Sequence, residues 1–295
     1  DIKSVLKAKD YAEAQSGLNS CLSSLNDEDK AKGYNKLVDL SFDKFNKENA
    51  VAVEAQTLEQ MGQKSNKTYD KQGMYDALLN GLNNALECDK YDQLPNAKGK
   101  VAPKFHKKNV DRLQNLRILL IVAGQECQEK EDNAGALKYY ESYVNSAFSS
   151  LFSEVAGKKD QNAGNVSRVV AFLYAQKEDY VTAQKFAEIA MADTASAADA
   201  EGIYVAILEK QCKTHDDTLN YINKLKEINA QKYFPQMASL YDRIGEKEMA
   251  KKLLDDEIAA NPQNKMAWAI KGENAMNAHD WESAIASFKK AIEID

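Results

Sequence analysis

Trp268-Ala-Ile-Lys-Gly272 is followed by Asp280-Trp281-Glu-Ser-Ala284-Ile-Ala-Ser-Phe288-Lys-Lys-Ala291, and the same order of residue types stands 34 residues earlier. Ala250 answers Ala284, Leu254 answers Phe288, Phe234 answers Trp268, and Gly245-Glu246 answers His279-Asp280, with Pro262 closing the earlier unit. Small and aromatic residues at fixed offsets within a period of this length mark a helix-turn-helix unit. Such a unit is too small to hide its own apolar stripe, so successive units must stack into a continuous core.

Weaker copies lie upstream. Residues 199–230 place Ile203, Val205 and Leu208 on one helix and Leu219, Ile222 and Leu225 on a second, with Thr218 or Leu219 where a smaller residue is usual. In residues 164–195, Ala171 and Tyr174 precede the turn at Glu178-Asp179-Tyr180, and Ala183, Phe186 and Ala190 follow it. Residues 117–148 carry Gly124 at the helix contact, then Asn133-Ala-Gly-Ala136 leading into Tyr140 and Tyr143. All three follow the i, i+3, i+4, i+7 spacing of amphipathic helices and none alternates with period two. Small residues (Gly124, Ala136, Ala183, Ala250, Gly272, Ala284) are expected at the closest helix approaches. Trp268, Phe234, Tyr241, Phe288 and Tyr174 are expected to fill the space between units.

Two inserts break the period. Phe148 to Asn165 is expected to lengthen a second helix and then break at Gly157 and Gly164. Tyr91 to Asn109, with Pro95, Pro103 and five lysines, is expected to form an ordered or mobile surface loop. In the N-terminal third, Asp10-Tyr11-Ala12-Glu13-Ala14 with Leu18 and Cys21 repeats the turn and second helix, and residues 1–8 supply only the end of the helix before. Residues 28–47 and 72–88 are expected to be the helices of the next unit, separated by an extra helix around Ala50 to Met61.

The final unit resembles the tetratricopeptide repeat (TPR). That resemblance implies an all-α chain, an α-α superhelical solenoid of about six or seven units with insertions. Residues 1–110 form a divergent N-terminal region, and 111–295 form a more regular array continuous with it. It also implies a non-enzymatic scaffold whose first helices line a concave groove for another protein or a peptide. In that register the groove takes Gln125, Gln128 and Glu129, then Arg168, Phe172 and Gln176, then Ile203, Ile207, Lys210 and Gln211. Ser239, Asp242 and Arg243 follow, and Met266, Ala269, Glu273, Met276 and Asn277 complete it. Chaperone-binding members clamp a terminal carboxylate with Lys and Asn one helical turn apart. The matching pairs here are Ile121/Gln125, Arg168/Phe172 and Ile203/Ile207, so the clamp is absent. Arg168, Lys210 and Arg243 are expected to face an acidic or carboxylate-bearing partner, Arg being the better anchor because its planar fork pairs bidentately.

Composition excludes several classes. Lys plus Arg number 39 against 45 Asp plus Glu, a formal charge of -6, so the basic excess of a nucleic-acid binder is missing. The longest apolar run, Ile118 to Gly124, falls far short of the roughly 18 residues that span a membrane. The three histidines are scattered: His106 is placed in the lysine-rich loop, His215 and His279 at inter-helix turns, and all three read as surface residues. None stands in a set with metal-ligand spacing. No phosphate loop or nucleophile elbow is present, since Gly99-Lys100 lacks the preceding strand and upstream glycine. No catalytic residue, cofactor or metal is therefore expected. Lys98, Lys100, Lys104, His106, Lys107, Lys108 and Arg112 form one basic patch, read as a solvated loop ahead of an anion-binding surface.

Cys21, Cys88, Cys127 and Cys212 show no C-x-x-C pair and read as buried helix residues, with one disulfide or a reactive thiol as the alternative. The chain begins at Asp1 without methionine, as after loss of a signal peptide or a simple truncation. Its irregular N-terminal third and the Asp89-Lys-Tyr-Asp-Gln-Leu-Pro95 segment are similar to exported tetratricopeptide proteins of the Bacteroidetes, which implies the periplasm, with the cytoplasm as alternative. Unpaired cysteines weigh against an oxidising compartment. Two rival functions stand beside the scaffold. One is a groove for a small molecule or glycan in an envelope process, which exposed aromatics such as Phe172 would favour. The other is a homo-oligomer formed through the apolar face of the last helix.

Overall fold

The computed structural model describes residues 1–152 and 160–294, so Gly157 lies outside the described residues. Among the described residues there are helices and no strands. They run α1 (Ile2–Lys7), α2 (Tyr11–Cys21), α3 (Asp27–Gln60), α4 (Lys71–Asp92), α5 (His106–Leu113), α6 (Ile118–Glu129) and α7 (Asn133–Ala147). Then follow α8 (Ala163–Gln176), α9 (Tyr180–Ala192), α10 (Ala197–Lys210), α11 (His215–Arg243), α12 (Lys247–Ala260), α13 (Lys265–Asn277) and α14 (Trp281–Glu293). The chain divides into two compact units, residues 1–200 and 201–295. This is an α-α repeat protein built of consecutive helical hairpins.

Four hairpins, α6–α7, α8–α9, α11–α12 and α13–α14, share one turn. Glu131, Glu178, Gly245 and His279 each adopt positive φ, between 59° and 81°. In each, the amide of the next residue bonds to the carbonyl five residues before it: Asp132 to Cys127, Asp179 to Tyr174, Glu246 to Tyr241 and Asp280 to Ala275. This left-handed residue stops the first helix and satisfies its last carbonyls. Asp132, Asp179 and Asp280 then cap the second helix by accepting the amides of Gly135, Thr182 and Ser283. Counted from that turn, the small residues fall in one register. Gly124, Ala171, Ala238 and Gly272 precede it by seven, Ala136, Ala183, Ala250 and Ala284 follow it by five, and all eight are buried. Phe234 is buried as expected, whereas Trp268, Phe288, Tyr241 and Tyr174 are half-buried.

The hairpin α10–α11 lacks the left-handed turn and is closed by a capping box. Thr214 Oγ1 accepts the Asp217 amide, and the Asp217 carboxylate accepts the Thr214 amide. The buried Thr218 stands in the small-residue position. α11 is broken at Asn229 (φ -167°, ψ 93°), whose side chain caps its second half by accepting the Lys232 amide at 3.0 Å.

The N-terminal third departs from the expected layout. Residues 28–47 and 50–60 belong to one continuous helix, α3, and not two. Neither Gly nor Pro occurs between Tyr34 and Met61, and Gly62 takes φ 73° just past the helix end. The returning chain touches the end of the helix through two contacts, Asp70 N bonded to Glu48 Oε2 at 2.8 Å and Lys67 paired with Glu54 at 3.2 Å. The hairpin α1–α2 forms as expected and closes a small core with α3 through Val5, Ala14, Leu18 and Leu37.

Both inserts also differ. α7 is not lengthened; it ends at Ala147, and a 3₁₀ turn over Ser150–Phe152 buries Leu151 and Phe152 against α4 and α5. Gly164 does not break a helix but lies inside α8. The lysine-rich segment is ordered by one carboxylate, since Asp92 accepts the amides of Lys104 (2.8 Å), Phe105 (2.8 Å) and His106 (3.0 Å) and starts α5 inside the expected loop. His106 is therefore not a surface histidine: it is buried, with Nδ1 2.7 Å from the buried Asp89 carboxylate. The second Asp89 oxygen accepts Ser150 Oγ at 2.7 Å, so this cluster ties α4, α5 and the 3₁₀ turn together. His215 and His279 are exposed at turns as expected.

Candidate functional site

The insert after α7 creates a site that the repeat pattern alone does not. Arg117, the residue before α6, is buried and held on every side. Nε donates to Ser146 Oγ (2.8 Å), Nη2 to the Tyr143 carbonyl (2.7 Å) and Nη1 to Asp160 Oδ2 (3.0 Å). The guanidinium carbon stands over the rings of Tyr143 (4.3 Å) and Phe152 (4.8 Å), a placement that attracts a cation to the aromatic faces. Asp160 Oδ1 accepts the Tyr143 hydroxyl (2.8 Å) and the amides of Asn162 (3.0 Å) and Ala163 (3.1 Å), which starts α8.

Burial opposes the charge on Asp160. The hydroxyl of Tyr143, the Asn162 amide and the Arg117 guanidinium outweigh it, leaving the carboxyl below its ordinary range. Burial pushes the Tyr143 phenol up to about 12.

Above this network a cleft of about 830 Å³ opens, within the size range of ligand pockets. Ile118, Ala147, Phe148 and Phe152 line it from the α6–α7 hairpin, and Ile189 and Ala192 line it from α9. Phe148 is 66% exposed and Ile118 52%, unusual for large apolar side chains beside an otherwise buried seam. Lys185 and Glu188, one helical turn apart on α9, are the exposed charges of the lining. Because the floor groups already satisfy one another, a buried ion would find no counter-charge there. The cleft is suited to an uncharged, apolar insertion with polar flanks.

None of the groove residues expected from the sequence lines this cleft. In the first unit, Gln125, Gln176 and Phe172 are exposed, Phe172 by 48%. Gln128 is turned inward and accepts the Tyr140 hydroxyl at 2.5 Å. Arg168 shares one face of α8 with Phe172 and Gln176, and its guanidinium donates to Asn165 Oδ1 at 3.0 and 3.2 Å. In the second unit, Lys210, Arg243, Glu273 and Asn277 are exposed and Ile203 is half-buried. Asp242 pairs with Lys247 at 2.7 Å. Ile207 belongs to the core and not to a groove. The signal for the cleft was the insert at Phe148. Nothing in the sequence marked Arg117 and Asp160 as partners, because they are 43 residues apart in an aperiodic stretch.

The basic patch is largely neutralised: Lys104 pairs with Glu28 (2.6 Å), Lys107 with Asp111 (2.5 Å), and Lys108 (3.4 Å) and Arg112 (2.8 Å) with Asp39. Among the described residues no three His, Cys, Asp or Glu side chains converge as metal ligands, and no helix is long and apolar enough to cross a membrane.

The site and fold together define the class, a helical-hairpin repeat protein with an apolar cleft in its first unit. No protein-family model matches the chain, and no curated protein does. Among solved structures, it is similar to MamA at 17% identity, over 58% of this chain and 92% of that one, with a TM-score of 0.37. It is also similar to YrrB, described as a TPR protein with an unusual peptide-binding site, at 18% identity over 66% and 94%, with the same TM-score of 0.37. At that score the assignment of fold rests on the chain's own hairpins.

Proposed function

We propose that this chain is a non-enzymatic scaffold that binds a peptide segment of another protein, and that the cleft beside Phe148 takes an apolar side chain of that segment. The supporting observation is the pairing of two exposed apolar residues, Phe148 and Ile118, on a cleft whose polar floor is closed on itself. Fixed apolar walls with flanking charges suit a peptide better than a reaction, which needs a group free to accept or deliver a proton or an electron pair. The exposed faces of the first helices, with Gln125 on α6 and Arg168, Phe172 and Gln176 on α8, would carry the rest of the peptide.

The test is to pan a displayed random-peptide library on the protein and titrate an enriched peptide calorimetrically. Phe148→Ser should weaken binding tenfold or more, about 1.4 kcal/mol, with the melting temperature unchanged. If Arg168→Glu abolishes binding while Phe148→Ser and Ile118→Ser leave it intact, the first-helix face is the site and the cleft is not. A library that yields no enrichment overturns the peptide reading.

We also propose export to the periplasm. In support, burial raises the Cys88, Cys127 and Cys212 thiols, which keeps them protonated and slow to oxidise, so these three unpaired cysteines weigh less against it. Fractionating cells that express the full-length gene tests it: recovery in the cytoplasm overturns it.

A further inference from the structure

The last helix of the second unit carries an apolar stripe that its own hairpin does not cover. α14 buries Ala284, Ser287 and Ala291 against its neighbours. On another face Trp281 is 57%, Ile285 56% and Ile292 76% exposed, with the half-buried Phe288 between them. These four stand at intervals of four, three and four residues, the spacing of a seam between two helices. Along one flank of the stripe lie Glu282, near the N-terminal end, and Lys289, near the C-terminal end. Among the described residues neither is paired within the chain, whereas Lys290 is drawn towards Glu293 (3.9 Å).

We propose that the chain associates with a second copy of itself through an antiparallel, two-fold pairing of α14. In an antiparallel pair the same flank of both helices lies on one side of the contact. Ile285 then meets Phe288 of the other copy, Trp281 meets Ile292, and Glu282 comes close to Lys289. A parallel pair would set the two flanks on opposite sides of the contact and leave Glu282 and Lys289 without each other, so the charges favour the antiparallel direction. The two-fold contact is self-complementary and closes, so it gives a dimer and not a filament. Exposed ion pairs add little strength, so the apolar stripe supplies the affinity and the charges fix the orientation.

The test is sedimentation equilibrium of the 295-residue chain over a concentration series. A monomer–dimer equilibrium is expected, and Ile285→Asp should weaken it by roughly tenfold or more without loss of helical signal. Glu282→Lys and Lys289→Glu should each weaken association, more so at low salt, and the two combined in one chain should restore it. Phe148→Ser, in the other unit, should leave association unchanged. A chain that stays monomeric at every concentration overturns the proposal. So does a dimer indifferent to Ile285→Asp, one that Phe148→Ser dissociates, or single charge reversals that associate as tightly as the parent.

Discussion

Gly272 lies under the ring of Phe288, so close that a Cβ on it would come within 2.9 Å of Cδ1 and Cε1. Gly124 lies under Tyr140 in the same way at the same sixteen-residue spacing, and a Cβ there would overlap the ring outright. Each glycine lets a first helix rest directly on an aromatic face of its partner. Replacing Gly272 with Val should destabilise the second unit by about 1–3 kcal/mol, the usual cost of overpacking. The contrast is Gly202 in α10, which has nothing within 4 Å of its would-be Cβ. Gly202→Ala should stabilise by about 0.5–1 kcal/mol through helix propensity alone. Urea midpoints of the two variants check both signs.

Asp92 holds three consecutive amides, those of Lys104, Phe105 and His106. Asp92→Ala leaves them without that acceptor at the entrance to α5. The expected loss is about 2–4 kcal/mol, reflecting several charge-assisted bonds. Hydrogen exchange should accelerate at residues 104–106 well before it does in α13. Uniform acceleration would mean that the carboxylate does not act locally.

The Asp160 carboxyl titrates below its ordinary range in the folded protein. Its contribution to stability is therefore complete above the unfolded pKa of about 3.9 and is lost as pH falls through the lower folded value. Asp160→Asn should lower the melting temperature at neutral pH and flatten its decline under acid conditions. Melting curves taken from pH 7 downward for parent and variant should converge at the acid end.

Burial holds the Cys88 thiol well above its ordinary range, and the residue is fully buried. Iodoacetamide should leave Cys88 unmodified in the native protein and alkylate it on unfolding, as peptide mass spectrometry would read. Labelling of native Cys88 at the rate of a free peptide thiol would contradict its placement between α3 and α4, where its Sγ faces the Ala31 carbonyl at 3.3 Å.

The hairpins were legible in the sequence because their determinants are local. A small residue seven before the turn, an acid just after it and a small residue five beyond it can each be read within one period, and together they require two antiparallel helices in close contact. What the tertiary structure decided lies where the period fails. His106 reads as exposed among lysines until Asp89 and Asp92, a helix away, draw it inward. The lysines read as a free basic patch until Glu28 and Asp39 of α3 come alongside. Arg117 and Asp160, the floor of the cleft, are joined only when α8 is seated beside α7. Hairpin formation follows from neighbours along the chain, whereas a buried charge takes its partner from the packing, which no single period encodes.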